Sequence, residues 1–255
     1  MKKVLLTLFV LVTGIVMLQA AEDIAGLLAK GDAAFDALDN ETALQNYLQV
    51  YKADSMNCEA LWKISRAYVD IGENAAEKKQ KEDYAKSEKF ARLAVKRCPN
   101  DADAHLFLSV ALGRVALISG KKEQVQMSKE VKEEAMKSLE LAPDKDIAHH
   151  VLARWHRKVA NLSGIQKTFA KILYGGLPEA SNEKAVEHFK RAIELKPDYI
   201  NHHLELGLTY EEMSEWKLAK EEYDKVMALP VSASDDPDHK KDAAERLLVV
   251  TKKIK

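Results

Sequence analysis

The sequence predicts an all-α fold, a right-handed α-solenoid of stacked helical hairpins, and three observations carry that reading. Gly and Pro number only 10 and 6 in 255 residues, about half the usual share, which excludes collagen-like, linker-like and turn-rich β chains. Apolar residues at 47% and charged residues at 31% are enough to fill a core and coat it, so neither a disordered chain nor a multi-span membrane protein fits. Four of the six prolines, Pro99, Pro143, Pro197 and Pro230, each follow an apolar helical stretch, and a proline cannot continue a helix.

The elements follow in order. Met1-Lys2-Lys3, an apolar run from Val4 to Leu18 and the small residues Gln19-Ala20-Ala21 have the layout of a secretory signal peptide over residues 1–21, with cleavage near Ala20 or Ala21. An uncleaved N-terminal anchor is the alternative. As a helix the run from Val4 to Leu18 spans about 22 Å, short of the ~30 Å hydrocarbon core. Residues 22–230 form the repeat array, of about five units. Its best segment reads Ala185, Phe189, Ala192, Pro197, Leu206-Gly207, Tyr210, Ala219, Tyr223 and Pro230, which resembles the tetratricopeptide repeat, a ~34-residue helical hairpin. Small residues let its helices approach and aromatic residues fill the gaps between units.

From Ser55, the terminal positions recur after 44, 44, 54 and 33 residues, so units two to four are stretched between their two helices. Two of the inserted pieces, Glu73 to Asp83 and Lys121 to Glu134, are charged and read as solvated helix extensions. The third, Ser163 to Pro178, places Ile165, Phe169, Ile172 and Leu173 on one helical face with Lys167 and Lys171 on another. It packs on its own array or serves as a partner or membrane contact. After Pro230, residues 231–255 supply a polar turn and a capping helix whose Ala243, Ala244, Leu247, Leu248 and Val250 cover the open end of the array.

Leu61-Trp62-Lys63-Ile64-Ser65-Arg66-Ala67-Tyr68, Leu152-Ala153-Arg154-Trp155, Ile172-Leu173-Tyr174-Gly175 and Glu183-Lys184-Ala185 together resemble the regulator of microtubule dynamics protein family. The resemblance runs from about Leu61 to Pro230 and includes the stretched units. It implies a tetratricopeptide-type array without catalytic residues and an adaptor role; eukaryotic members of that family are associated with microtubules or membrane contact sites. The N-terminus gives this chain the look of an exported bacterial homologue, periplasmic or secreted.

In such an array the first helix of each unit lines the concave groove. The frame puts Trp62, Arg66, Arg114, His150, Arg154, Arg157 and Lys158 on or near that surface. Arg forks suit carboxylates, so an extended peptide that is acidic or ends in a free C-terminus is the expected partner. The alternative is internal pairing with Asp70, Glu205, Glu211 and Glu212. His105, His149-His150 and His202-His203 stand near the starts of first helices, with His156 two turns beyond His149. Packed or helix-end imidazoles are expected there; Zn²⁺ binding or a pH switch is the alternative, and no metal is assigned. Cys58 begins the first helix of unit two and Cys98 ends its second, on the same side of the array. A disulfide between them is geometrically feasible, and two free thiols are the alternative.

No phosphate-binding Gly-rich loop, zinc-hydrolase motif or nucleophile elbow occurs, and no cofactor or enzyme activity is expected. The formal net charge of -1 supplies no global field for nucleic acid. The expected function is a non-catalytic protein- or peptide-binding adaptor. The alternative is a membrane-tethered structural factor that touches the bilayer through an uncleaved N-terminus, or a microtubule-associated regulator.

Overall fold

A computed structural model describes residues 23–175 and 179–254, apart from the side chains of Leu173 and Tyr174. The expected signal segment lies outside the described residues. Among these residues the secondary structure is helical, in the order α1 (23–36), α2 (Asn40–Ala53), α3 (Cys58–Glu73), α4 (Glu77–Arg97), α5 (Ala102–Leu117), α6 (Lys121–Leu141), α7 (Asp146–Ala160), α8 (Gly164–Tyr174), α9 (Asn182–Leu195), α10 (Ile200–Glu212), α11 (Trp216–Ala228) and α12 (Asp236–Ile254). None of these helices is long and apolar enough to cross a membrane.

Short polar side chains start many of the helices. Asp39 accepts from the Thr42 amide, Asn57 from Ala60, Asp101 from Asp103 and Ala104, and Ser181 from Lys184. Each satisfies an amide that the first turn leaves without an intrahelical partner. Ser163 and Gln166 form a reciprocal capping box on α8, and Gly175 at φ 72° ends it in the left-handed region. The helices pair as α1/α2, α3/α4, α5/α6, α7/α9 and α10/α11, and α12 packs on α10 and α11.

A small residue on the first helix of a hairpin meets an aromatic ring on the second. Gly72 faces Tyr84, and Gly207 faces Tyr223; a Cβ at either glycine would stand 2.7 or 2.5 Å from the ring. Gly31 and Tyr47 repeat the arrangement in the first hairpin, and all three tyrosines are buried. Phe189 fills the equivalent space between α7 and α10, where it meets the His150 ring edge-on.

The stretched units are long second helices in units two and three, where α4 and α6 each run 21 residues. In unit four the extra length is the separate helix α8. The charged inserts are helix extensions that are mostly exposed, with a few side chains turned inward. Asp83 and Tyr84 are buried in α4, Val125 and Val131 in α6, and Asp83 is held by Lys79 and Lys86. One face of each extension is apolar or paired, and that face turns inward. On α12, Ala243, Leu247 and Val250 turn inward, whereas Leu248 is exposed, because one residue along a helix rotates the side chain by ~100°.

α8 packs on α6 through its buried Ala170 and a hydrogen bond donated by Gln166 Nε2 to Gln124 Oε1 at 3.1 Å. Phe169 is half-buried. Ile165 and Ile172 remain 66% and 72% exposed, and the side chain of Leu173 lies outside the described ones.

Candidate functional site

The first helices curve around a central cavity of about 970 Å³. α3 contributes Arg66, Asp70 and Glu73; α5 contributes Phe107 and Arg114; α7 contributes His150, Arg154 and Lys158. The lengthened part of α6 supplies Lys121, Val125 and Val131, and among its described side chains α8 adds Gln166 and Ala170. Residues 232–235, which lead into α12, return to the same wall. The cavity is shared among the units: of the two lengthened second helices α6 lines it and α4 does not, while Phe35 of α1 and Asn201 and Glu212 of α10 also line it.

Five of the seven expected groove residues line this cavity: Arg66, Arg114, His150, Arg154 and Lys158. Trp62 does not. Its ring stacks on Phe107 at 5.1 Å and bridges units two and three. Arg157 does not either; it is 4% exposed and bonds to both Glu205 and Glu212. The groove expectation for these two residues is corrected by helical geometry. On α7, a residue three positions beyond Arg154 rotates away from the cavity toward α10, where two carboxylates meet it, and on α3 the Trp62 ring turns toward the neighbouring unit.

The remaining cations are paired to different degrees. Arg154 Nε meets Glu205 Oε1 at 3.2 Å, and Arg114 pairs with Glu73. The Glu205 carboxylate holds the Arg154 proton more firmly, but burial together with Arg114 and Arg157 outweighs it and lowers the pKa. Arg66 lies over the Phe35 ring at 3.5 Å, and its buried Nε has no hydrogen-bond partner. Lys158 lines the cavity and is exposed, with its pKa lowered by burial and by Arg157.

The acids behave unusually. Burial, then the neighbouring Glu73 charge, pushes the Asp70 carboxyl up to about 8. Burial and the Asp235 carboxylate push Glu73 up to about 7 despite Arg114. A neutral Asp70 carboxyl removes one negative charge from the wall near neutral pH, while Glu73 offsets Arg114.

The histidines are packing and turn-closing groups. His105, His149 and His203 each bond through Nε2 to the carbonyl of the proline six residues earlier, Pro99, Pro143 and Pro197, at 2.9, 3.1 and 2.9 Å. Their Nδ1 atoms reach the second helix of the same unit, at Glu134, His188 and Glu222. The six-residue interval from Pro to His recurs in the sequence as a signal that the reading of the histidines as helix-start residues passed over, and its partners are decided by the fold. His150 and His202 are buried with their Nδ1 atoms 2.9 Å apart, and His202 Nε2 lies 3.1 Å from Asp146. His202 donating to Asp146 leaves its Nδ1 to accept from His150, so both rings are neutral. Burial accordingly lowers both pKa values, well below the usual range for His150.

Cys58 at the start of α3 and Cys98 at the end of α4 are joined in a disulfide, with Cα atoms 6.1 Å apart. It staples the outer end of unit two, away from the cavity-lining residues.

A thermophilic TPR protein of Thermus thermophilus superposes with a TM-score of 0.64 at 17% identity, covering 88% of this chain and 99% of that one, and this shows the fold. Regulator of microtubule dynamics protein 3 of Rattus norvegicus is 27% identical over 235 residues, 91% of this chain and 50% of the rat protein. Regulator of microtubule dynamics protein 1 of Mus musculus is 26% identical over 234 residues, 91% of this chain and 76% of the mouse protein. The chain thus spans half the length of the rat relative. The family described as "Regulator of microtubule dynamics protein 1-3" matches residues 27–252, across the hairpins and most of the capping helix. With its stretched tetratricopeptide-like hairpins and this match over most of its length, the chain belongs to the regulator of microtubule dynamics protein 1-3 family.

Proposed function

We propose that the chain is a non-catalytic adaptor that holds an extended, acidic segment of a protein partner in its central cavity. The observation that supports this most is the convergence of Arg66, Arg114, Arg154 and Lys158 on a wall where burial neutralises the Asp70 carboxyl. Lys158 and Arg154, nearest one another on α7, receive carboxylates of the partner, and Phe107 offers apolar contact. The test is capture of acidic peptides of roughly ten residues, measured by fluorescence anisotropy. Lys158→Ala with Arg154→Ala is expected to weaken binding about tenfold, equivalent to ~1.4 kcal/mol, with helicity unchanged. Equal affinity of parent and variant, or equal capture of a basic peptide, overturns the reading.

Family membership supports a second reading, regulation of microtubule dynamics, with the relatives' name as its basis. The two differ in place. The layout of residues 1–21 supports export to the periplasm or beyond, where a chain meets no tubulin. Cell fractionation with N-terminal sequencing decides between them: a soluble exported form starting near Glu22 excludes the microtubule role. The exposed Ile165 and Ile172, flanked by Lys167 and Lys171, support α8 as a further contact with a partner or an anionic membrane surface.

A further inference from the structure

We propose that Asp235, Asp236 and His239, at the start of α12, form a site for one divalent transition-metal ion of the Zn²⁺ type. Their donor atoms all lie within 4.8 Å of one another. The geometry differs from that of ordinary ion pairs on a helix. Asp236 is 0% exposed, and its Oδ2 accepts from the Ser232 and Ala233 amides, both at 2.7 Å, and from the Ser232 hydroxyl at 3.3 Å. That side of the carboxylate caps the turn. Its other oxygen, Oδ1, is buried with no hydrogen-bond partner, and so is Nδ1 of His239.

These two unsatisfied atoms stand 3.8 Å apart, and His239 Nε2 stands 3.5 Å from Asp235 Oδ2. Both gaps are too long for a hydrogen bond. An imidazole gives one ion a single nitrogen, so the Nδ1–Oδ1 gap is the one that suits a shared ion: with bonds of ~2.1 Å, neighbouring donors around a tetrahedral cation stand about 3.4 Å apart, and Asp235 adds one carboxylate oxygen to the cluster. A buried carboxylate oxygen and a buried imidazole nitrogen left unpaired are costly, and a cation between them satisfies both. The mixture of one imidazole with two carboxylates favours Zn²⁺ or a similar ion over Mg²⁺ and Ca²⁺, which take oxygen donors.

A second observation comes from across the cavity. Asp235 lines the cavity wall and faces the Glu73 carboxyl of α3 within hydrogen-bonding reach. An ion at Asp235 therefore stands on the same cavity wall as the α3 carboxyls. Waters complete the coordination.

The test uses the untagged chain, freed of metal with EDTA and titrated with Zn²⁺ against a chromophoric chelator. One tight equivalent is expected, with His239→Gln weakening it at least about tenfold. Asp236→Asn is the companion variant, but it touches the cap, so His239→Gln carries the weight if Asp236→Asn unfolds. Zn²⁺ is also expected to raise the melting temperature of the parent and leave that of His239→Gln unmoved. A His149→Gln/His188→Gln variant separates this site from the other paired histidines and is expected to keep the tight equivalent. Unchanged Zn²⁺ affinity in His239→Gln, loss of the tight equivalent in the His149/His188 variant, or Ca²⁺ binding as tight as Zn²⁺ overturns the proposal.

Discussion

Neighbouring side chains on α7 illustrate how a single helical step separates structure from recognition. Arg157 is enclosed by Glu205 and Glu212, whereas Lys158 lines the cavity and is exposed. Removing one partner of a buried pair strands the other charge, so Arg157→Ala is expected to cost about 3–5 kcal/mol of stability. Lys158→Ala is expected to change stability by less than ~0.5 kcal/mol, as an exposed substitution does. Urea unfolding of both variants checks the contrast; equal midpoints would sink it. The sequence marked both residues as cations on a first helix. It did not show that Glu205 and Glu212, 48 and 55 residues further along the chain, would meet only one of them.

At the scale of elements, the hairpins depend on close approach at the glycine–tyrosine contacts. Gly207→Ala places a methyl group into the Tyr223 ring, and the buried ring has little room to give. Overpacking of this kind costs about 1–3 kcal/mol, which thermal unfolding of the variant would register as a lowered midpoint. Gly207 and Tyr223 were legible because they recur with the prolines, whereas Gly72 and Tyr84 were not among the positions the repeat frame marked. Cys58 and Cys98 enclose a loop with a sequence separation of 40, and in the loop-entropy account such a bridge contributes about 4 kcal/mol. Reduction is expected to lower the melting temperature without loss of helicity. Alkylation of both thiols in the unfolded, unreduced protein would contradict the bridge. α8 was legible as an amphipathic helix, but its orientation was not. The packing of Ala170 and Gln166 on α6 leaves Ile165 and Ile172 outside.

At the scale of the whole molecule, the entry turn of α12 returns to α3 and brings Asp235 to Glu73 and Asp70. This arrangement sets a pH dependence. The folded-state pKa values of Asp70 and Glu73, about 8 and about 7, lie above those of an unfolded chain. The folded state therefore binds more protons than the unfolded one. The stability linked to these groups is complete below about pH 4 and is lost as pH rises through roughly 7 and 8. Asp70→Asn is expected to melt higher than the parent at about pH 8.5 and to show no such advantage near pH ~4.5. A difference independent of pH would argue against a protonated Asp70. What the sequence determined by itself was local and periodic: helical hairpins, their stops at proline, the stretched units and the small residues that permit close packing. These follow from backbone chemistry and spacing within ~34 residues. The tertiary structure alone decided which cations face the cavity, which histidines pair, and that the C-terminal turn closes on α3. Those outcomes depend on the superhelical curvature, which sums small rotations over the array and brings together residues far apart in the chain, as it does Glu73 and Asp235.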